Sequence, residues 1–354
     1  MARACGSVAA RLNSLTMNAH PVSEKPSVLV VKLSSLGDLF HALPTVHAIK
    51  THLGASVEWV VQQEYLQLVK CFTDVDFIIT TQRRSFIRNM SELKKDLHAH
   101  QYDLVIDLQG LMKSAIVVAM AKSPRKIGPA FHRECSQLFY HEIAGAKDMT
   151  RHAVEQNLDL ARHLGCETPE VRFPVEFPEF ALEANRRHVG LLPCTRWPSK
   201  TWPEEHYIKL AKSLLDDENT FVHVLGSLDD LAVCHRIHRV IDHPRVINQS
   251  AELTLPMLGG LLARLDLLIS GDSGPVHIAA AVGTPTLVLF GPTEAGRTGP
   301  YGEGHRIIRA PAPCEPCFNR SCHRHGEPCM AGITPGEVAD AARAMLESGT
   351  GKPG

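Results

Sequence analysis

The chain has 354 residues, 37 Lys and Arg against 38 Asp and Glu, and a formal net charge of −1; 44% of it is apolar. That length accommodates two ordinary domains with sizeable cores. The balanced charge speaks against a nucleic-acid partner, which would call for a basic footprint. No run is long and apolar enough to span a bilayer.

Residues 1–20 contain arginine and no acid, but lack a continuous apolar stretch. Residues 1–26 therefore read as a disordered extension rather than a secretory signal, with Met17 a second candidate start. A cytoplasmic protein with mostly reduced thiols is expected.

Val28–Val31 is a short apolar run ended by Lys32, and a Ser34-Ser35-Leu36-Gly37-Asp38 turn follows. Leu39, Leu43, Val46 and Ile49 then recur at helical spacing, and a helix is predicted over Ala42–His52. Strand, tight turn and helix put Asp38 at the strand's carboxyl end, where open α/β sheets bind ligands. Gly37 lets the backbone approach a ligand, and Ser35 offers a hydroxyl. Two roles are open for Asp38: a helix N-cap and a catalytic carboxylate. Strands at Ser56–Val61, Phe77–Thr80 and Leu104–Ile106 alternate with helices at Tyr65–Cys71 and Phe86–His100, which predicts a parallel doubly wound sheet over 27–175. Asp107, Gln109, Gly110 and Lys113 gather after the Leu104 strand, and Arg151–Leu164 reads as a helix. Residues 176–185, between prolines, suit an interdomain linker.

A second α/β unit is predicted over 186–348, with strands at His188–Leu192, Phe221–Leu225, Val246–Ile247, Leu267–Ser270 and Thr286–Phe290. Its helices are expected at Glu204–Asp216, Leu228–Ile241, Met257–Leu265, Val276–Val282 and Pro335–Glu347. After its first strand, Thr195, Arg196 and Lys200 supply a hydroxyl and two cations. Gly271-Asp272-Ser273-Gly274 ends in a helix start, whose N–H groups suit a diphosphate. Gly291-Pro292-Thr293 makes a second turn after the next strand. Cys314-x-x-Cys317 followed by Cys322, His323, His325 and Cys329 has the spacing of a candidate structural metal site, with free thiols the alternative.

Lys32, Ser34, Ser35, Gly37, Asp38, His41, Leu43 and Pro44 together resemble the N-terminal signature of glycosyltransferase family 9, the bacterial heptosyltransferases. Asp272, Ser273, Gly274, His277, Ile278, Ala280 and Ala281 resemble the family's donor-binding pattern, and Gly291, Pro292, Thr293, Gly296, Gly299, Tyr301 and Gly302 its next Gly-rich stretch. Asp107–Ser114 resembles a segment of the family's enzyme that adds the first heptose. The resemblance implies an α/β protein of GT-B type, two Rossmann-like doubly wound domains facing a central cleft. It implies Asp38 as general base and Lys200 as the cation on the departing diphosphate. Thr195, Asp229, Asp272, Ser273, Gly274, His277, Gly291, Pro292 and Thr293 fall on the implied donor side, and Ser35, Gly37, His41, Gln109 and Lys113 on the acceptor side.

The implied reaction is inverting transfer of L-glycero-D-manno-heptose from ADP-heptose to the Kdo of lipid A, with no cofactor required for catalysis. A lipidic acceptor implies peripheral contact with the cytoplasmic face of the inner membrane, and arginines such as Arg83, Arg84, Arg88, Arg125 and Arg133 suit its anionic groups. A base working near the operating pH implies an Asp38 pKa raised on cleft closure. Two departures from the family pattern stand out: Cys194 replaces a small or hydroxyl residue, and Gln156 replaces an arginine. Transfer of a later heptose, a nucleotide-sugar epimerase and a non-catalytic nucleotide-sugar binder are the alternatives.

Overall fold

The structure, a computed structural model, describes residues 25–348 except 85, 168–169, 312–313, 315 and 323–328. Nearly all of the N-terminal extension, and both His323 and His325, thus lie outside the described residues. The chain divides into two compact units, Met1–Glu176 and Phe177–Gly354.

The N-terminal unit runs β1 (Ser27–Val31), α1 (Leu36–Leu53), β2 (Ser56–Gln62), β3 (Phe77–Thr81), α2 (Met90–His98), β4 (Leu104–Asp107), α3 (Met112–Met120), β5 (Lys126–Pro129), β6 (Glu142–Ala144) and α4 (Ala153–His163). Its six strands form one sheet in the order β3-β2-β1-β4-β5-β6, with every pairing parallel. Val28–Val31 and Leu104–Asp107 are buried throughout, as expected of central strands covered on both faces. The strand order reverses between β1 and β4, so the loops after these strands flank the crevice where such sheets take ligands.

Helix α1 starts at Leu36, six residues before the expected Ala42, because Ser35 serves as its N-cap and Asp38 folds back on it. It runs through Pro44, whose missing N–H removes one rung of the helical ladder. It stops at Gly54, which takes the left-handed conformation (φ 60°) and donates its N–H to the Lys50 carbonyl. Helix α2 is shorter than the expected Phe86–His100, and the expected Tyr65–Cys71 helix is only a short turn over Leu66–Val69.

The C-terminal unit runs β7 (Arg187–Leu192), α5 (Glu204–Leu214), β8 (Thr220–Val224), α6 (Leu231–Ile241), β9 (Val246–Asn248), α7 (Leu255–Leu262), β10 (Leu267–Gly271), α8 (Gly274–Ala281), β11 (Thr286–Phe290), β12 (Arg306–Arg309) and α9 (Pro335–Glu347). The sheet order is β12-β11-β10-β7-β8-β9, again all parallel. Numbered within each unit, both sheets share one order, 3-2-1-4-5-6. Val189, Leu191, Val224, Ile269 and Leu289 pack against Leu210, Val338 and Ala342 in the core of this unit. The crevice here lies between the loops after β7 and β10. Among the described residues, no helix is long and apolar enough to cross a membrane.

Candidate active site

In the N-terminal unit the loop after β1 presents Asp38 on the first turn of α1. Its Oδ2 accepts from the Ser35 N–H at 3.0 Å and from the Ser35 hydroxyl at 2.6 Å. Its Oδ1 stands 4.0 Å from Nδ1 of His41, and the Asp38 side chain keeps 43% of its exposure. Burial alone would push this carboxyl up. The nearby Lys32 ammonium and His41, together with the Ser35 bonds, outweigh it and hold Asp38 at about 2. The expected upward shift is therefore corrected within this unit: Asp38 is a firmly ionised carboxylate, because a buried cation stands beside it. Capping and availability for chemistry coexist, since the two bonds from Ser35 engage one oxygen.

Lys32 is 4% exposed and donates from Nζ to the Leu108 carbonyl at 2.6 Å. Burial lowers its pKa, and Asp38 and Asp107 work against that fall. The resemblance had given Lys32 no role; the electrostatic state of Asp38 gives it one. Its only signal in the sequence is a lysine closing an apolar strand.

Asp107, fully buried, accepts from the Gln109 and Gly110 N–H groups at 2.7 and 3.0 Å. It also accepts from the Ser114 hydroxyl at 2.7 Å and the Tyr140 hydroxyl at 2.6 Å. It shapes the loop after β4 rather than facing a ligand. Gln109 turns its Oε1 to the Leu33 and Ser34 N–H groups at 3.2 and 3.1 Å, so this expected acceptor residue clamps the β1 loop through its oxygen. Lys113 donates to the Arg83 carbonyl at 3.1 Å and lies 4.6 Å over the Phe86 ring. Gly37 is buried in the first turn of α1, and His41, also buried, stacks edge-on with His152 at 5.5 Å. Arg125 is committed to Glu142, whereas Arg83, Arg84, Arg88 and Arg133 are exposed. Gln156 bonds the Arg151 carbonyl, and the ion pairs of α4 are made by Arg151 with Asp159 and by Arg162 with Glu155 and Asp159.

In the C-terminal unit, Lys200 and Asp272 meet across 72 residues of sequence, Nζ to Oδ2 at 2.6 Å. Both are largely buried, at 15% and 10% exposure. The Thr293 hydroxyl donates to the same Oδ2 at 2.7 Å, which joins the loops after β7, β10 and β11. Lys200 also lies 4.4 Å over the Trp197 ring, a contact that the Trp-Pro-Ser-Lys spacing folds into one short turn over Pro198–Lys200. Ser273 is the N-cap residue of α8, yet its side chain makes no capping bond; its hydroxyl meets that of Ser270 at 2.9 Å. Gly274 opens that helix, and His277 is buried in its first turn. An ammonium ion beside a helix start is a ready anion site.

Thr195 spends its hydroxyl on the loop itself, with the Trp197 carbonyl at 2.8 Å and the Thr201 hydroxyl at 3.0 Å. A Cβ at Gly271 would stand 2.6 Å from the Lys200 carbonyl oxygen and 2.9 Å from Thr195 Cγ2. Gly271→Ala is thus expected to force the two loops apart, costing about 1–3 kcal/mol of stability, which thermal unfolding checks. Asp229 is exposed; its neighbour Asp230 caps the turn, accepting from the Ser227 N–H at 2.8 Å. The Cys194 thiol is pushed up by its contact with Cys234, by burial and by Asp230.

Cys314, Cys317, Cys322 and Cys329 line one cavity together with Gly291 and Pro292. Among the described residues no three His, Cys, Asp or Glu side chains are already gathered as a metal would gather them.

Two all-parallel sheets of one strand order, with an ionised carboxylate at one crevice and a lysine–carboxylate pair beside a helix start at the other, are the GT-B glycosyltransferase architecture. The chain belongs to glycosyltransferase family 9 (heptosyltransferase), whose profile matches residues 90–326. It is 28% identical over 353 residues to lipopolysaccharide heptosyltransferase 1 of Pseudomonas aeruginosa, spanning 90% of this chain and 98% of that one. It is 29% identical over 306 residues to lipopolysaccharide heptosyltransferase 1 of Escherichia coli K12, spanning 80% and 93%. Among solved structures, the E. coli heptosyltransferase WaaC with ADP superposes with a TM-score of 0.75 at 26% identity, covering 90% of this chain and 99% of that one.

Proposed function

We propose that this enzyme moves L-glycero-D-manno-heptose from ADP-heptose to the Kdo of lipid A, in one displacement that inverts the anomeric centre. The observation that carries this reading is the ionised Asp38, fixed by Ser35 through one oxygen. Its other oxygen receives the proton of the acceptor hydroxyl as that hydroxyl's oxygen attacks the anomeric carbon. The bond from that carbon to the diphosphate breaks in the same step, and the electron pair leaves with ADP. A carboxylate with a pKa of about 2 is a weak base, so the proton moves late, when the attacking oxygen has become acidic.

Charge builds on the diphosphate as it leaves. Lys200 meets it with ammonium protons that Asp272 does not use, since an ammonium has three. The helix start at Gly274 adds its N–H groups, and Thr293 and Gly291 border the nucleotide. No catalytic metal is required, because Lys200 supplies the cation. The Kdo carboxylate pairs with Lys113 and the exposed arginines near it. The lipidic acceptor brings the enzyme to the cytoplasmic face of the inner membrane.

The Asp107–Ser114 segment and the two heptosyltransferase 1 relatives support addition of the first heptose. Transfer from ADP-heptose is measured with Kdo-lipid A and with already heptosylated acceptor in parallel. Product on the bare Kdo acceptor alone is expected. Product on the heptosylated acceptor alone overturns the first-heptose assignment in favour of a later one, and conversion of donor without acceptor overturns transfer itself.

A further inference from the structure

The four clustered cysteines take no part in the chemistry above. All four line one cavity of about 30 Å³ that Ser199 and Gly291 help to close. That volume is the size of a water or a single ion and far below that of an organic ligand. Four thiols around so small a space match zinc or ferrous iron in number and softness. Cys314, Cys317 and Cys322 sit on irregular backbone, and Cys329 opens a short turn over Cys329–Gly332, so inward movement to ligating distance breaks no helix or strand.

Residues 318–320, between Cys317 and Cys322, are tied to the loops after β7 and β11. Ser199 donates its hydroxyl to the Asn319 carbonyl at 2.6 Å and its N–H to the Arg320 carbonyl at 3.2 Å. The Phe318 N–H donates to the Pro292 carbonyl at 2.9 Å. Arg320 lies 5.6 Å over the Trp197 ring that also carries Lys200. A Cβ at Gly291 would meet Cys329 Sγ at 2.9 Å, so this cysteine packs directly under the turn that leads to Thr293. We propose that Cys314, Cys317, Cys322 and Cys329 bind one zinc or ferrous ion as thiolates, and that this ion fastens residues 316–322 onto the loops bearing Lys200 and Thr293. The ion is a strut and touches neither substrate. Its binding stands independently of the proposed reaction; only its effect on the nucleotide rests on that reading.

The test uses the full chain purified anaerobically with reductant. Metal content is measured by mass spectrometry, and the chelator-stripped protein is then titrated with Zn(II) and with Fe(II). About one ion per chain is expected by both routes. The double variant Cys317→Ser/Cys322→Ser, which alters the two exposed thiols, should fall below about a tenth of that, and Cys135→Ser, an exposed cysteine outside the cluster, should keep it. Cobalt substitution should give the visible bands of a tetrahedral thiolate site in the parent and none in the double variant. ADP affinity should weaken roughly tenfold on stripping and return with the ion. Metal below about a tenth of an ion per chain by both routes, metal retained in the double variant, or the four cysteines found as disulfides would overturn the site. ADP affinity indifferent to the ion would overturn its fastening role. A failed transfer assay leaves the metal stoichiometry untouched, so the two proposals fail separately.

Discussion

Asp38→Asn is expected to lower kcat by about 10²–10⁴-fold, the usual contribution of a positioned general base, and to leave ADP affinity unchanged. Asparagine is nearly isosteric and can still accept the bonds that Ser35 makes to Oδ2 at 3.0 and 2.6 Å. The melting curve therefore separates the two roles of the residue, since loss of a cap costs about 0.5–2 kcal/mol. A collapse of turnover with a melt lowered by no more than the lost attraction between the carboxylate and Lys32 assigns Asp38 to the chemistry. Turnover close to the parent's removes it as the base.

The pH dependence gives a second check. The carboxyl lies at about 2 in the folded chain against an ordinary 3.8, so folding favours its ionised form. Its contribution to stability is complete above the ordinary value and is lost as pH falls through the folded one. Unfolding followed by pH should show Asp38→Asn losing part of the acid-side slope between about pH 4 and 2. In the free enzyme, the acid limb of kcat/KM should carry no titration of Asp38 above the ordinary carboxylate range. A limb near neutrality that disappears in the variant would contradict the role given to Lys32.

Lys200→Ala is expected to cut kcat/KM by about 10²–10³-fold, the scale of one removed stabiliser of developing charge. It also leaves Asp272 largely buried with Thr293 as its remaining donor. The single variant should therefore melt lower, by up to about 3 kcal/mol. Lys200→Ala/Asp272→Asn separates the effects, because the second change removes the uncompensated carboxylate. Stability should return in the double variant and the rate should not. Recovery of both would make the ion pair a structural device only.

The two sheets were legible because their central strands are continuous apolar runs: Val28–Val31, Leu267–Ser270 and Thr286–Phe290 all fall on observed strands. The missed strands lack that signature. β6 is three residues long at a sheet edge, and β12, an edge strand flanked by arginines, is largely exposed. Helix α3 went unassigned because Ala115–Met120 is apolar all round and has no periodicity to read. The start of α1 was hidden because Ser34–Asp38 has turn composition, and only the Asp38–Ser35 bonds make it a helix terminus.

At the site, sequence pattern picked out Asp38, Lys200 and Asp272 but not their electrical state or their partners. The Lys200–Asp272 contact spans 72 residues, and Gln109 reaches back 76 and 75 residues to Leu33 and Ser34. Such contacts are set by which strands neighbour one another, and a local pattern carries no record of that. The charge on Asp38 depends on where Lys32 points its ammonium, which is equally a tertiary fact.

Both units carry their working side chains on the loops after their first and fourth strands, within sheets of one strand order. The two units thus follow one plan of loop positions and differ in the few side chains those loops carry. One unit sets a carboxylate and a buried lysine after its first strand, the other a lysine locked to a carboxylate across the loops after its first and fourth. Because the two sets share no residue, the proposed division into acceptor and donor units lets one set change without altering the other. Change in either loop set is a change to half an enzyme.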